Sequence, residues 1–262
     1  MVLLSEVIKE MESFAPISLK EDFDNVGLMV GDKNNQIKKV LLALDCTMDV
    51  IDEAKDKNID LIITHHPLIF RKPSNITTDT LQGKKIMELI KNNISLYSSH
   101  TNLDSAYKGI NYTIAKLIGL ENSSLLSVNK NDNTAGIGRI GDLDKEYPLE
   151  EYTRKVMTVL NVKSARVVNG NSKVKKVAVI NGSGQDFIGK AISLGADTII
   201  TGDTTYHFAS DYKEMGINII DIGHFSSEWL PFLEVMKNIK DKFSDIEFIE
   251  SEKSEDPYTF VI

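Results

Sequence analysis

The sequence predicts an α/β protein made of two similar lobes, each with a mostly parallel sheet and flanking helices. Buried-strand patterns alternate with helical patterns along the chain, which is typical of this class. A block of 29 residues also occurs twice: Lys38–His66 and Lys175–Asp203 align without a gap and share 10 identical residues. About two identities would be expected by chance from average composition. The second lobe is therefore predicted to be an internal copy of the first.

The first half of the chain predicts a β-α-β-α-β-α order after an amino-terminal helix. Residues 3–14 place apolar side chains at helical spacing. The continuous apolar runs predict buried strands at 40–44, 60–64 and 94–98, and the amphipathic segments predict helices at 48–57, 81–92 and 107–117. Because parallel strands need crossover connections, usually helices, this order predicts a mostly parallel sheet.

The second half predicts the same order again. Strands are predicted at 177–180, 198–201 and 217–222, helices at 149–160, 187–194, 211–215 and 228–242, and edge strands at 247–249 and 258–262. The segment 120–132 is polar and rich in Asn and Ser, so it is the predicted linker. The first lobe is therefore expected to span 1–127, completed by 230–262, and the second lobe 128–229.

Composition limits the possible partners and compartments. The 262 residues carry a formal net charge of −8, which argues against nonspecific nucleic-acid binding. A nucleotide substrate remains compatible, because bound metals supply local positive charge. The single cysteine allows no internal disulfide. We find no apolar stretch of transmembrane length and no signal-peptide pattern, so we predict a cytoplasmic protein without a membrane partner.

Metal-ligand residue types lie at or just beyond the carboxyl ends of the predicted strands, where ligands of open α/β sheets gather. The first block ends in His-His, and Asp203 of the second block corresponds to His66. A His-x-x-x-carboxylate pattern then follows in each half. The candidate ligands are His65, His66, His100, Asp104, His224 and Glu228.

Imidazole nitrogen and carboxylate oxygen form the usual donor set for zinc, iron and manganese. The adjacent His65 and His66 can address two neighbouring metals, and Asp104 and Glu228 can bridge them. Two metals about 3.5–4 Å apart hold a bridging water and clamp an oxygen-rich substrate. Each pattern alone is more often structural or incidental. We predict two divalent metals because the duplication delivers these residue types to equivalent strand ends.

Other candidates keep two interpretations. Asp45 either supports a ligand or caps the following helix, and His207 either lines a cavity or caps a helix. The turn 182–184 is either an anion-binding turn or an ordinary turn, and the ordinary turn is favoured. Cys46 is predicted to be an idle buried thiol rather than a nucleophile, and Trp229 a packing residue rather than a platform for a base.

Several short motifs together resemble one protein family. They are Asp24-Asn-Val-Gly-Leu28, Leu44-Asp-Cys-Thr47, Ile63-Thr-His-His-Pro-Leu68, Ser99-His-Thr-Asn-Leu-Asp104, Gly202-Asp203 with Tyr206-His207, Gly223-His224 with Glu228, and Asp256-Pro-Tyr258. The chain resembles the Nif-three-like dinuclear metal centre family, also called GTP cyclohydrolase I type 2-like, from the first helix to the last predicted strand.

The resemblance implies two interlocked lobes, two divalent metals (zinc, iron or manganese) and a ring-shaped homohexamer. Its metal ligands fall on His65, His66, Asp104, His224 and Glu228. His100 is then an extra ligand or a supporting group. Glu228 and His100 are the predicted catalytic residues.

The implied activity is that of a metal-dependent hydrolase acting on a small molecule, possibly a nucleotide. The family name suggests opening of the GTP purine ring with release of formate. A metal-dependent phosphoesterase and a non-enzymatic metal-binding or regulatory protein are the alternatives. One departure from the family is Phe23, where relatives often have Trp, and we expect it in the core.

Overall fold

The structure is a computed structural model that describes residues 1–120, 122–171, 173–259 and 261. Its contacts divide the chain into two compact units. The first unit comprises Met1–Leu103 and Phe232–Glu255, and the second comprises Asp104–Pro231 and Asp256–Ile262.

Strands and helices alternate along much of the chain, as the sequence predicts. The strands are β1 Val2–Leu3, β2 Gly27–Val30, β3 Gln36–Ile37, β4 Lys39–Ala43, β5 Leu61–Thr64, β6 Ser95–Ser98, β7 Ser124–Val128, β8 Gly136–Tyr147, β9 Arg166–Val168, β10 Val174–Ser183, β11 Thr198–Gly202, β12 Asn218–Asp221 and β13 Glu247–Glu250. The α-helices are α1 Leu4–Phe14, α2 Met48–Asp56, α3 Leu81–Lys91, α4 Thr101–Ser105, α5 Ile110–Leu117, α6 Leu149–Val159, α7 Ile188–Ser193, α8 Tyr206–Glu214 and α9 His224–Lys240. Within the described residues, no helix is long and apolar enough to cross a membrane.

The first unit is built on a five-stranded sheet in the order β13-β4-β5-β6-β2. Strands β13, β4, β5 and β6 are parallel, and β2 closes the edge in antiparallel orientation. A core cluster joins the sheet to helices α2 and α3, with Leu41, Ile51, Ile62, Leu89 and Leu96 at 0% exposure. The apolar runs that predict buried strands therefore occupy the predicted positions.

The second unit is built on a six-stranded sheet in the order β7-β8-β10-β11-β12-β9. Its centre, β10-β11-β12, is parallel, whereas β7, β8 and β9 join by antiparallel pairing. Ala178, Ile188, Ile199 and Ile219 form part of its core. The predicted α/β class is confirmed, although this sheet is mixed rather than mostly parallel.

The duplication is visible in the register of the strands. Val40 lies opposite Leu61 in the first unit, and their counterparts Val177 and Thr198 are paired in the second. The Asp60 carboxylate accepts from the backbone N–H groups of residues 38 and 39, and Asp197 accepts from those of 175 and 176. Each of these residues is related to its counterpart by 137 positions, so the two β-α-β blocks fold in the same way internally.

The unit boundary differs from the expected one. Residues 104–127 belong to the second unit rather than the first. The reason is that α5 contacts β8 and β10, and that β7, within the predicted linker, pairs with β8. Helix α8 also begins at Tyr206 rather than 211. Of the edge strand predicted at 258–262, residues 260 and 262 lie outside the described residues, and the others are not in a strand.

Candidate metal centre

Three histidines of the first unit form a cluster at the carboxyl ends of neighbouring parallel strands. His65 and His66 follow β5, and His100 follows β6. Each offers a ring nitrogen, and these nitrogen atoms lie within 4.8 Å of one another. Because β5 and β6 are adjacent and parallel, two segments separated in sequence deliver their imidazoles to one place.

The ring orientations of His65 and His66 are set by oxygen atoms. The Nδ1 of His65 lies 2.9 Å from the carbonyl oxygen of Ser99, and the Nδ1 of His66 lies 3.0 Å from Oδ1 of Asp45. A carbonyl or carboxylate oxygen only accepts, so each Nδ1 must carry the hydrogen. Asp45 thus supports a candidate ligand, whereas the cap of the following helix is Thr47.

His100 is held by a buried carboxylate. Its Nδ1 lies 2.9 Å from Oδ1 of Asp24, whose other oxygen accepts from the backbone N–H and hydroxyl of Thr101. Burial opposes ionisation of Asp24, but hydrogen bonds from His100 and Thr101 outweigh it and lower its pKa to about 2. Asp24 is therefore an anion that orients His100. The sequence shows it only as part of the Asp24-Asn25 motif.

In this tautomer each of the three rings carries its lone pair on Nε2. Histidine ligands of metals commonly donate the opposite ring N–H to a carboxylate or a backbone carbonyl, which fixes the ring and strengthens the ligand. All three rings have such an oxygen partner. The residues present therefore fit a divalent metal by the chemistry of their donor atoms.

In the second unit, one amide group holds both candidate carboxylates. The side-chain nitrogen of Asn181 donates to Oδ1 of Asp104 and to Oε1 of Glu228, each at 2.8 Å. The two carboxylate oxygens can therefore be no further apart than twice that distance. Asp104 and Glu228 are 7% and 2% exposed. Two buried carboxylates this close repel each other unless a cation or a proton compensates their charge.

His224 completes this group of second-unit side chains. Its Nδ1 lies 2.6 Å from Oδ2 of Asp203, which again assigns the hydrogen to Nδ1. Its Nε2 lies 3.2 Å from Oε2 of Glu228. Two lone-pair atoms at this distance repel each other unless a proton or a metal cation neutralises them. The donor set of this unit therefore also fits a divalent metal.

Gly182 leaves the space that these side chains occupy. It has φ +56, and a Cβ built there would collide with Oε1 of Glu228 and lie 3.3 Å from the His224 ring. The N–H groups of Gly182 and Gly184 donate to the hydroxyls of Ser227 and Thr201. Because these two donors are used internally, the structure favours an ordinary turn at 182–184 over an anion-binding turn.

Asp221 fixes the two loops that carry Asp203 and His224. It is 3% exposed, accepts from the backbone N–H and hydroxyl of Thr204, and accepts from the N–H of Gly223. Thr204 adjoins Asp203 in the chain, and Gly223 adjoins His224. Asp221 is the last residue of β12, and no sequence motif singles it out.

The remaining candidates have other contacts or environments. His207 is exposed on α8 and packs edge-on against Tyr206, whereas the cap of that helix is Thr205. Trp229 packs against Phe225, with ring centroids 6.1 Å apart. Burial raises the pKa of the Cys46 thiol to about 12, which removes it as a nucleophile at neutral pH.

Comparison with known proteins identifies the family of this chain. The sequence profile of the Duf34/NIF3 (NGG1p interacting factor 3) family matches residues 2–257. The chain belongs to the Duf34/NIF3 family. A Clostridium perfringens member, named GTP cyclohydrolase 1 type 2 homolog, is 54% identical over 98% of this chain and 99% of its own. A Clostridium acetobutylicum member of the same name is 49% identical over 95% and 96% of the two chains.

Several solved structures share the fold of this chain. The Bacillus cereus protein related to NIF3 superposes with a TM-score of 0.89, at 28% identity and 99% coverage of both chains. Reduced HcgD from Methanocaldococcus jannaschii gives a TM-score of 0.84 at 34% identity, over 96% of this chain and 98% of its own. The family resemblance and the fold class predicted from the sequence are thus confirmed.

Proposed function

We propose that this protein is a metal-dependent hydrolase that binds two divalent ions per chain, zinc, iron or manganese. The proposed ligands are His65, His66, Asp104, His224 and Glu228. The observation that carries this proposal is the shared orientation of the histidines. Four imidazoles on three separate segments each have Nδ1 against an oxygen acceptor, which leaves Nε2 as the donor atom in each.

The carboxylates support the same proposal. Burying Asp104 and Glu228 side by side is costly without a compensating cation. Asn181 offsets part of that cost by donating to both, which is the arrangement expected where carboxylates must stay ionised to bind a metal. If these residues served stability alone, we would expect fewer buried charges here.

The chemistry follows from the residues around the metals. A bound divalent ion lowers the pKa of water toward neutrality and polarises the bond under attack. Glu228 orients the attacking water and accepts its proton. His100, held by Asp24, exchanges a second proton with the substrate and is the other proposed catalytic residue.

The proposed substrate is a small molecule that resembles a nucleotide. The relatives' name supports opening of a purine ring, in which one water adds to C8 and opens the ring to a formamide, and a second water hydrolyses the formamide to release formate. Phosphoester hydrolysis by the same residues is the second candidate, and a non-enzymatic metal-binding or regulatory role is the third. The homohexamer implied by the family and the cytoplasmic location expected from the sequence are part of the proposal, and size-exclusion chromatography with light scattering tests the former.

The function is tested by Glu228→Gln, with Glu234→Gln on the same helix as the matched control. The glutamine that replaces Glu228 keeps one oxygen donor but loses the charge and the proton acceptor. The hydrolase proposal expects at least one retained metal and about a hundredfold or greater loss of rate on GTP or on a phosphodiester panel. Glu234 is paired with Lys237 away from the ligands, and its variant should match the wild type.

The opposite outcome is equally specific. If the metal is structural, metal-loaded wild type turns over none of these substrates. A chelator then lowers the melting temperature strongly, because metal binding and folding are coupled. Glu228→Gln would reproduce that fall in melting temperature. This result would replace the hydrolase with a metal-binding protein.

A further inference from the structure

Two phenylalanines of the first unit are exposed beside the histidine cluster. Phe23 is 66% exposed and Phe70 is 42% exposed. The expectation that Phe23 lies in the core is therefore wrong, because the core side of this loop is taken by its neighbour Asp24. The two ring centroids are 6.2 Å apart, and the ring planes are inclined by 59°. The rings thus form an open wedge that faces solvent.

The loops that carry the two rings are tied to each other. The side-chain amide of Asn25 donates to the carbonyl oxygen of Ile69 at 2.5 Å. Asp24, next to Phe23, is fixed by its hydrogen bonds with His100 and Thr101. Both phenylalanines therefore sit one residue from a cross-link, and their exposure is built into the loops.

The wedge adjoins the candidate ligands. The Phe70 ring lies edge-on to the His100 ring at a centroid distance of 6.4 Å, and His100 lies 5.5 Å from His66 by the same measure. A flat molecule that rests on the phenylalanines is therefore brought against the imidazoles. Neither ring is needed to fill the core of the unit.

Exposed aromatic rings on two loops that are tied together form a surface suited to a ligand of matching chemistry. Aromatic rings gain most from offset or edge-to-face contact with another π system, and stacking on an aromatic side chain tolerates many heterocycles. We propose that Phe23 and Phe70 form an aromatic clamp that binds a planar heteroaromatic ring of the substrate beside the first-unit histidines. This clamp rests on the proposed function and assigns it a substrate class.

The test measures binding rather than turnover. Guanosine, adenosine, uridine and nicotinamide are titrated by calorimetry into metal-loaded protein, with ribose 5-phosphate as a ligand that lacks the flat ring. We expect at least one heteroaromatic probe to bind the wild type. Phe23→Ala with Phe70→Ala should weaken that binding about tenfold or more, since stacking contributes about 1–3 kcal/mol per base. The calorimetric result with ribose 5-phosphate should be the same for this variant and the wild type.

Two control variants make the result specific. Leu81→Ala with Ile90→Ala removes two other exposed apolar side chains, 63% and 61% exposed, elsewhere in the same unit, and should leave probe binding unchanged. Phe23→Trp enlarges the stacking face, so the affinity for the heteroaromatic probe should stay the same or increase. The metal content of every variant should equal that of the wild type.

Three results would overturn the clamp: no heteroaromatic probe binds the wild type, the alanine variant binds as tightly as the wild type, or the variant changes only the oligomeric state. The last result would make the wedge a subunit contact. The failure of the proposed function looks different. In that case the probes bind and respond to the phenylalanine variants, but metal-loaded protein shows no turnover.

Discussion

Asn111 and Asn181 are joined by two hydrogen bonds. The side-chain amide of Asn111 donates to Oδ1 of Asn181 at 2.7 Å, and the backbone N–H of Asn181 donates back to Oδ1 of Asn111 at 3.1 Å. The first bond fixes which end of the Asn181 amide is the oxygen. Its NH₂ group must then point to Asp104 and Glu228, so Asn111 determines how the carboxylates are held.

Replacing Asn181 should weaken metal binding. Asn181→Ala removes the donor shared by Asp104 and Glu228, so their mutual repulsion increases and their positions loosen. Loss of a residue that orients metal ligands commonly costs 10–100-fold in affinity, and we expect a change in that range from competition with a chromogenic chelator. Asn92→Ala, which removes only a bond to Glu88 on an exposed turn, should bind metal like the wild type. Equal affinity of the two variants would show that Asn181 does not position the carboxylates.

Gly182→Ala adds only one methyl group, but it should reduce both metal binding and stability. The added methyl group collides with Glu228, and alanine is disfavoured at φ +56. We expect loss of bound metal and a lower melting temperature.

Gly189→Ala is the matched control for Gly182→Ala. A Cβ at Gly189 meets nothing within 4 Å, and this residue lies in α7. Alanine should therefore stabilise the protein by about 0.5–1 kcal/mol and leave the metal content unchanged. A Gly182→Ala protein with full metal content would contradict the packing described around Glu228.

Glu53 should make stability depend on acidic pH. Burial opposes its ionisation, but hydrogen bonds from Lys57, Ser251 and the Glu252 backbone outweigh this and lower its pKa below the ordinary value of 4.5. A carboxylate with a depressed folded pKa stabilises the protein above its unfolded pKa. That contribution is lost as the pH falls through the lower folded pKa.

Urea unfolding from pH 7 to pH 3 tests the role of Glu53. The wild type should lose more stability than Glu53→Gln below about pH 4.5, while the variant should be less stable at neutral pH. Glu234→Gln should follow the wild-type curve. Parallel curves for wild type and Glu53→Gln would remove Glu53 as a source of acid sensitivity.

Cys46 should be unreactive in the folded protein. Its side chain is buried, and burial raises its pKa to about 12, so almost no thiolate exists at pH 8. We expect a disulfide reagent to modify it only as fast as the protein unfolds, and at full rate in denaturant. Rapid modification of native protein would show that the thiol is accessible.

Much of the fold was predictable because buried parallel strands leave continuous apolar runs. The predicted strands 40–44 and 198–201 have this pattern, and they match β4 and β11 to within one residue at each end. The long strand β8 escaped prediction, since Gly136, Gly138 and Gly141 suggest a turn. In the structure these glycines allow close approach of β7, as a Cβ at Gly136 or Gly138 would collide with Ser127 or Leu126.

The candidate ligands were predictable because the duplication repeats them at strand ends, whereas the groups that hold them were not. Asn181 is an ordinary residue at the end of an apolar run, and only the fold brings it against Asp104 and Glu228. The exposure of Phe23 was also hidden, because an aromatic side chain at this position is typical of a core residue. Which side of a loop faces solvent depends on tertiary contacts, such as that between Asp24 and His100.

The most direct test of the central claim is the number of divalent metal ions per chain. It is measured by elemental analysis of protein purified without added metal, for wild type, His65→Ala with His66→Ala, and His207→Ala. The account predicts close to two ions in the wild type and in the His207 variant, and loss of most metal in the double variant with its circular dichroism spectrum unchanged. Undiminished metal in the folded double variant would contradict it.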